Sequence, residues 1–233
     1  MTTEMSRRWV MAVAVLALAG TSLARAAGGG PAPAPSHSSG PSAPSLTPEE
    51  RAAQKYNAGL KQQEKADGLQ KEAEAATDPK KKSKSESQAR KAYGKARSEF
   101  EAALKLDARN YQAHGALGYV LRRLGDYDAS LKAYDKALEL KPGYTPAVEY
   151  RAEAFLGLNR VEEAKSAYME LFTADRPRAD MLATAMQKWV DGRRQDPAGV
   201  EPATLDGFAK WLEQRLEIAS QTSALLPPKD AKW

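Results

Sequence analysis

The 233-residue chain contains no cysteine and only two histidines. The lack of cysteine excludes disulfides, thiolate metal sites and cysteine nucleophiles. The sequence also contains no glycine-rich phosphate loop and no nucleophile elbow. His37 lies in a stretch of small residues and proline, so His114 has no second histidine beside it for a metal site. These absences predict a protein that is not an enzyme and that binds no metal or cofactor.

The charge balance is close to neutral once the first residues are set aside. Hydrophobic residues make up 42% of the chain and charged residues 28%, which is ordinary for a soluble fold. The net charge is +5, but residues 1–26 hold three arginines and one glutamate. Without them 32 basic (35 − 3) and 29 acidic (30 − 1) residues remain, a net charge of +3. This small excess does not predict a nucleic-acid partner.

Residues 1–26 have the features of a secretory signal peptide. Arg7 and Arg8 precede an apolar run over residues 9–19, which is shorter than the roughly 20 residues needed to span a bilayer. The small-x-small segment 24–26 follows. We expect cleavage after Ala26 and export to the periplasm. Two alternatives stay open, a twin-arginine export signal and an uncleaved membrane anchor.

Low-complexity segments flank the region of globular composition. Residues 27–46 are almost entirely Gly, Ala, Pro and Ser, and such a stretch cannot bury apolar surface. It is expected to be a flexible linker. Residues 223–233, with two adjacent prolines, are expected to be a tail.

The central part of the chain contains an internal repeat of 34 residues. When residues 111–144 are placed over residues 145–178, small residues meet small ones and large apolar residues meet large ones. The matched pairs are Ala113 with Ala147, Gly118 with Ala152, Leu121 with Phe155, Leu124 with Leu158, Ser130 with Ala164, and Tyr134 with Tyr168. A repeat of this length predicts stacked helical hairpins.

The repeat resembles the tetratricopeptide repeat. The resemblance is carried by Leu117-Gly118, Leu124-Gly125-Asp126-Tyr127, Tyr134, Ala137-Leu138 and Pro142. His114 and Leu121 stand where the family has aromatic residues. In the second unit Arg151 replaces a leucine, and Pro177 comes one place late. The resemblance implies an all-α solenoid of about three repeats, the first elongated, with C-terminal capping helices.

The repeated residue types have physical roles in such a hairpin. A small residue at Gly118 or Ala152 lets two helices approach closely. Gly125 and Asn159 tolerate the positive φ with which many helices end. Tyr134 and Tyr168 are expected to pack between hairpins.

Two further regions complete the predicted architecture. Residues 47–110 are expected to form the elongated first repeat. Its first helix is expected to begin with Thr47 as N-cap, followed by Pro48. A lysine-rich turn is expected at its tip, holding Lys80, Lys81, Lys82 and Lys84. Residues 179–222 contain two amphipathic segments, near 179–194 and 202–221, that are expected to cap the array.

The resemblance also implies where a partner would bind. Members of this family usually bind a peptide or a helix on the concave face, which the first helix of each repeat lines. The candidate partner-binding residues are Gln112, Tyr119, Arg122, Glu149, Tyr150 and Glu153. Acidic residues, Gly115 and Tyr119 stand where a clamp for a C-terminal carboxylate would need cations and amides. A groove of tyrosine, arginine and glutamate instead favours a polar-aromatic peptide.

The sequence therefore predicts a non-catalytic scaffold or adaptor in the bacterial cell envelope, binding a protein of unidentified nature. In the alternative, the lysine-rich loop binds anionic lipid or peptidoglycan at the envelope surface. The tryptophan-bearing C-terminal segments could also provide a binding face, or join copies of the chain through Trp189 and Trp211. His114 is expected to be a packing residue.

Overall fold

The computed structural model describes residues 46–225, which form eight α-helices and no strands. The helices are Pro48–Ala75 (α1), Pro79–Leu106 (α2), Tyr111–Leu124 (α3), Tyr127–Leu140 (α4), Thr145–Gly157 (α5), Val161–Ala174 (α6), Arg176–Gln195 (α7) and Pro202–Leu225 (α8). Consecutive helices pack against each other along the chain. The predicted all-α array of helical hairpins is confirmed. The predicted signal peptide, the linker up to residue 45 and the tail from residue 226 lie outside the described residues.

The first helix begins where the sequence predicts. The Thr47 hydroxyl accepts a hydrogen bond from the Glu50 amide at 3.1 Å, and the Glu50 carboxylate accepts one from the Thr47 amide at 2.8 Å. This reciprocal pair satisfies two amide groups that an α-helix leaves unpaired at its start. Pro48 occupies the first helical position, where its missing N–H costs nothing.

The lysine-rich segment is helical, so the expectation of a lysine-rich loop was wrong. The turn between α1 and α2 consists of residues 76–78, and Lys80, Lys81, Lys82 and Lys84 lie in the first two turns of α2. The Asp78 side chain caps α2 by accepting from the Lys80 amide at 2.8 Å. Pro79 fits the first helical position, and lysine is a good helix former. These local preferences extend the helix through the charge cluster.

Helices α1 and α2 are each 28 residues long and meet along a seam of small side chains. The buried residues of α1 recur every seven positions, at Ala52, Gly59, Ala66 and Ala73. A Cβ atom on Gly59 would lie 2.5 Å from Cε1 of Phe100 on α2, too close for van der Waals contact. Small residues on α1 therefore allow the close approach of the two long helices.

The next two hairpins repeat the same turn at a spacing of 34 residues. The Asp126 amide donates to the Leu121 carbonyl at 3.0 Å, and the Arg160 amide donates to the Phe155 carbonyl at 2.8 Å. Between these partners Gly125 has φ +87° and Asn159 has φ +59°. The predicted positive φ at both positions is confirmed, and the orphan carbonyls at the helix ends are satisfied.

Gly118 provides the close contact inside the α3–α4 hairpin. A Cβ atom there would lie 2.6 Å from Cε1 of Tyr134, and the Ser130 hydroxyl donates to the Gly118 carbonyl at 2.8 Å. The Tyr134 ring also packs in one cluster with Ala147 and Ala154 of α5. It thus contributes both to its own hairpin and to the contact with the next one.

Odd-numbered helices form one side of the array. Each contacts the next odd-numbered helix, from α1 to α3, α3 to α5 and α5 to α7, whereas among the described residues α2 and α4, or α4 and α6, make no comparable contact. We call the side formed by α1, α3, α5 and α7 the inner face. Among these 180 described positions, no helix is both apolar enough and long enough to span a membrane.

The C-terminal helices pack into one apolar cluster with α5 and α6. Helix α7 begins at Arg176, earlier than expected and inside the range 145–178, because the Asp175 side chain caps it by accepting from the Arg178 amide at 3.3 Å. Trp189 donates to the Leu156 carbonyl at 2.7 Å, and its ring meets Phe208 edge-on at 5.4 Å. Trp211 lies between Tyr168 and Phe208 at centroid distances of 5.6 and 6.0 Å. Both tryptophans thus join α7 and α8 to the preceding repeat.

Candidate functional site

Four of the six predicted groove residues form one cluster on the inner face. The guanidinium of Arg122 on α3 lies over the rings of both Tyr119 and Tyr150, 5.4 Å from each centroid. Its Nη1 donates to Oε2 of Glu153 on α5 at 2.7 Å. The two tyrosine rings meet edge-on with centroids 5.2 Å apart. Sequence reasoning proposed these residues, and the stacking of α3 on α5 brings them together.

The cluster extends to α1 through Asp67. Oδ1 of Asp67 accepts hydrogen bonds from the hydroxyl of Tyr119 at 2.7 Å and from that of Tyr93 at 2.5 Å. The Tyr93 ring meets the Tyr119 ring edge-on at 6.4 Å, and Arg123 lies over Tyr93 at 5.4 Å. One carboxylate therefore fixes two phenol groups from two different helices.

Burial keeps these phenols protonated. It raises the pKa of Tyr119, and the negative charge of Asp67 raises it further. Burial also raises the pKa of Tyr150 to about 12, with Glu149 and Glu153 adding to the effect. Near neutral pH the tyrosines act as hydrogen-bond donors, and Tyr119 directs its proton at Asp67.

Glu149 lies beneath the surface rather than on it. It is 2% exposed, and its carboxylate accepts a hydrogen bond from Nη1 of Arg178 on α7. Burial raises its pKa to about 7, although Arg178 acts in the opposite direction. The expectation that Glu149 contributes contact surface has to be revised, because its carboxylate serves the packing of α5 on α7.

Gln112 and two further tyrosines extend the inner face. Gln112 is exposed and stands seven residues, or about two helical turns, before Tyr119 on α3, so both lie on the same side of that helix. Tyr111 meets Tyr144 edge-on at 5.0 Å. A Cβ atom on Gly115 would lie 3.1 Å from Cε1 of Tyr144, so this glycine leaves room for the ring. The result is a surface rich in tyrosine along α3 and α5.

Sequence reasoning missed Asp67, Tyr93 and Arg178. Their roles depend on contacts between residues of different helices that are 26 to 52 positions apart in the sequence, such as Tyr93 with Asp67 and Tyr119 with Asp67. A signal for Asp67 exists, because it follows Ala66 in the seven-residue series of buried small residues on α1. That series indicates a position beside the seam but not the partner across it.

Histidine and acidic residues offer little other chemistry in the described part of the chain. Nε2 of His114 lies 3.0 Å from the carbonyl oxygen of Ala108, so the ring connects the start of α3 to the preceding turn. Across residues 46–225, no group of three or more His, Asp or Glu side chains is placed to hold a metal ion. The predicted anionic-surface lysines, Lys80, Lys81, Lys82 and Lys84, are all exposed on α2, nine or more residues before Tyr93 on that helix.

A protein-family model matches part of the chain. Residues 81–145 match the family model described as tetratricopeptide repeat, a segment that covers most of α2 and all of α3 and α4. No curated protein matches the chain.

Proposed function

Because the chain carries tetratricopeptide repeats, which generally mediate protein–protein interactions, we propose that it is a non-catalytic scaffold whose inner face binds a partner polypeptide. The observation that carries this proposal is the arrangement of Tyr119, Arg122 and Tyr150, in which two rings flank one guanidinium on α3 and α5. Tyrosine and arginine are among the residues that contribute most to the affinity of protein interfaces.

The cluster supports binding because its side chains are already ordered. Arg122 is held by Glu153, and its side chain is only 11% exposed. Tyr119 is held by Asp67. A partner that docks here does not have to immobilise these side chains, whose ordering otherwise costs about 0.5–1.5 kcal/mol each.

The same contacts define the chemistry of the partner. Nη1 of Arg122 and the hydroxyl of Tyr119 donate to carboxylates of this chain, and Nε of Arg122 is buried, so a partner meets chiefly ring surface. The charged side chains near this face are also paired within the chain, Arg122 with Glu153 and Arg178 with the buried Glu149. We therefore infer a peptide segment that is apolar or aromatic with few charges, and binding that depends little on salt concentration.

We place this scaffold in the bacterial envelope. The support comes from the sequence, where Arg7 and Arg8 precede a short apolar run and a small-x-small segment ends at Ala26. N-terminal sequencing of the exported chain should give Ala27 as its first residue. Recovery of a chain that still begins upstream of the apolar run would overturn the placement.

Site-specific crosslinking tests the inner face. A photo-reactive amino acid at Gln112 should give covalent adducts with a distinct partner in native cells, identified by mass spectrometry. The same probe at Lys132, exposed on α4, serves as the control position. The double variant Tyr119→Leu/Tyr150→Leu should lose the Gln112 adduct, whereas Tyr127→Leu on α4 should retain it. Equal adducts from both positions, or an adduct that survives the double variant, would contradict the proposal.

A further inference from the structure

We propose that one face of α2, together with Lys65 of α1, binds the surface of a membrane that contains anionic lipids. The first two-thirds of α2 are strongly basic. Between Pro79 and Arg97 the only acidic residue is Glu86, and the basic residues of this stretch are all exposed: Lys80, Lys81, Lys82, Lys84, Arg90, Lys91, Lys95 and Arg97. This surface is distinct from the inner-face cluster.

Four of these lysines form a straight stripe. Lys80, Lys84, Lys91 and Lys95 follow one another at spacings of four, seven and four residues. At about 100° per residue these positions fall within an arc of about 60° on the helix, and at 1.5 Å per residue they extend over about 22 Å. Glu86 lies outside this arc by the same count. The stripe therefore presents charge of one sign over four helical turns.

A shallow cleft widens the stripe toward α1. The cleft has a volume of about 340 Å³ and is lined by Gln62, Lys65, Leu69, Gln88, Lys91, Ala92 and Lys95. Lys65 adds a fifth positive charge beside Lys91 and Lys95. The amides of Gln62 and Gln88 supply hydrogen-bond donors between the ammonium groups. Such a set of donors suits the phosphate of a lipid headgroup.

The five lysines are not neutralised by the protein itself. None of them forms an ion pair with a carboxylate of residues 46–225, whereas basic residues nearby on the helices do, such as Lys55 with Glu99 and Arg97 with Glu101. Glu72 forms no such pair either, although its position on α1, three residues after Leu69, lies on the same side of the helix as Lys65. The positive charge of the stripe is thus available to an external anion.

The residue type favours a lipid surface over an acidic protein. Carboxylates are recognised best by the planar guanidinium of arginine, which binds them with two parallel hydrogen bonds. The stripe contains lysine alone, whose compact charge on a flexible stem responds to the density of negative charge rather than to its geometry. No large apolar side chain is exposed along it within the described residues. We therefore infer peripheral, electrostatic contact without insertion.

Vesicle binding by matched variants tests this inference. The chain from Ala27 onward contains all the residues that the structure describes, 46–225, and lacks the apolar leader. It should bind vesicles of phosphatidylglycerol and phosphatidylcholine at low ionic strength, but not vesicles of phosphatidylcholine alone. Replacing Lys80, Lys84, Lys91 and Lys95 by Gln should weaken this binding about 600-fold, because each of the four lysines near an anionic membrane contributes about fivefold. Raising the salt concentration should weaken it too.

The control variant removes the same charge elsewhere. Lys132, Lys141, Lys188 and Lys210 are exposed outside the stripe, and their replacement by Gln should leave vesicle binding within about threefold of the parent. An equal loss in both variants would show an effect of net charge and overturn the inference. So would a parent chain that binds soluble polyglutamate or duplex DNA but no anionic vesicle. The double variant Tyr119→Leu/Tyr150→Leu should keep full vesicle binding, so failure here is separable from failure of the inner-face proposal.

Discussion

The hydroxyl of Tyr119 donates to Asp67 at 2.7 Å across 52 residues of sequence. The bond connects the middle of the elongated first hairpin to the first helix of the next repeat. Since the same carboxylate oxygen also accepts from Tyr93, Asp67 orders the edge of the inner-face cluster.

Replacing Asp67 should destabilise the fold. Asp67→Ala leaves two partly buried phenol donors without an acceptor, which we expect to cost about 1–3 kcal/mol. Asp67→Asn keeps an oxygen acceptor and should cost less. Urea denaturation measures the difference, with Glu64→Ala, an exposed position on the same helix, as the control. An Asp67→Ala midpoint equal to that of the control would contradict the role assigned to this carboxylate.

A glycine-to-alanine pair tests the helix contacts. Gly118→Ala places a Cβ atom 2.6 Å from Tyr134 and should cost about 1–3 kcal/mol through displacement of the ring. Gly68→Ala on α1 has no atom within 4 Å and should instead stabilise the helix by about 0.5–1 kcal/mol. Thermal unfolding should therefore shift in opposite directions for the two variants. Shifts of the same sign would refute the packing argument.

Glu149 should make the stability depend on pH between about 4.5 and 7. Its pKa in the folded protein is about 7, above its ordinary value of 4.5, so over this window the folded state binds more protons than the unfolded state. Stability should fall as the pH rises through the window, and level off above it. Glu149→Gln should remove this slope while keeping an acceptor for Arg178. The free energy of unfolding at about pH 5 and about pH 8 measures the effect for both proteins. Parallel pH profiles would count against the shifted pKa.

Replacing Asn159 by glycine should destabilise the protein. Glycine would adopt the positive φ of this position without strain, yet Asn159 also donates to the Ala198 carbonyl at 3.0 Å and accepts from Nε of Arg193 at 3.0 Å. The loss of both hydrogen bonds should cost about 1 kcal/mol, more than glycine gains by removing the strain of a positive φ. Hydrogen exchange should accelerate in the loop between α7 and α8. A more stable Asn159→Gly protein with unchanged exchange would show that the side-chain bonds contribute nothing.

Local sequence signals predicted the repeated hairpins and their turns. The left-handed positions at Gly125 and Asn159 and the N-cap at Thr47 follow from rules that act within one or two helical turns. The spacing of 34 residues is visible as self-similarity of the sequence. The lysine cluster was predicted as a turn because of its high charge density. Asp78 and Pro79 are nevertheless typical of a helix start, and α2 begins there. That signal is local as well, and it shows in the structure as the Asp78 cap.

The inner-face cluster could be predicted only in part. The family pattern places Tyr119, Arg122, Tyr150 and Glu153 on first helices, but it does not give the register between neighbouring hairpins. Asp67 meets Tyr119, and Arg178 meets Glu149, only after the hairpins stack. The burial of Glu149 has the same origin, since α7 begins at Arg176 and packs against α5.

The seven-residue series of small residues on α1 makes the first hairpin adjustable in length. Seven residues are about two helical turns, so adding seven to α1 and seven to α2 would continue the seam of Ala52, Gly59, Ala66 and Ala73 in register. The tip with Lys80 would then stand about 10 Å farther from the repeats, because each residue adds 1.5 Å. The hairpin can thus differ in length by whole heptads, in homologues or designed variants, while the seam between its two helices keeps the same contacts.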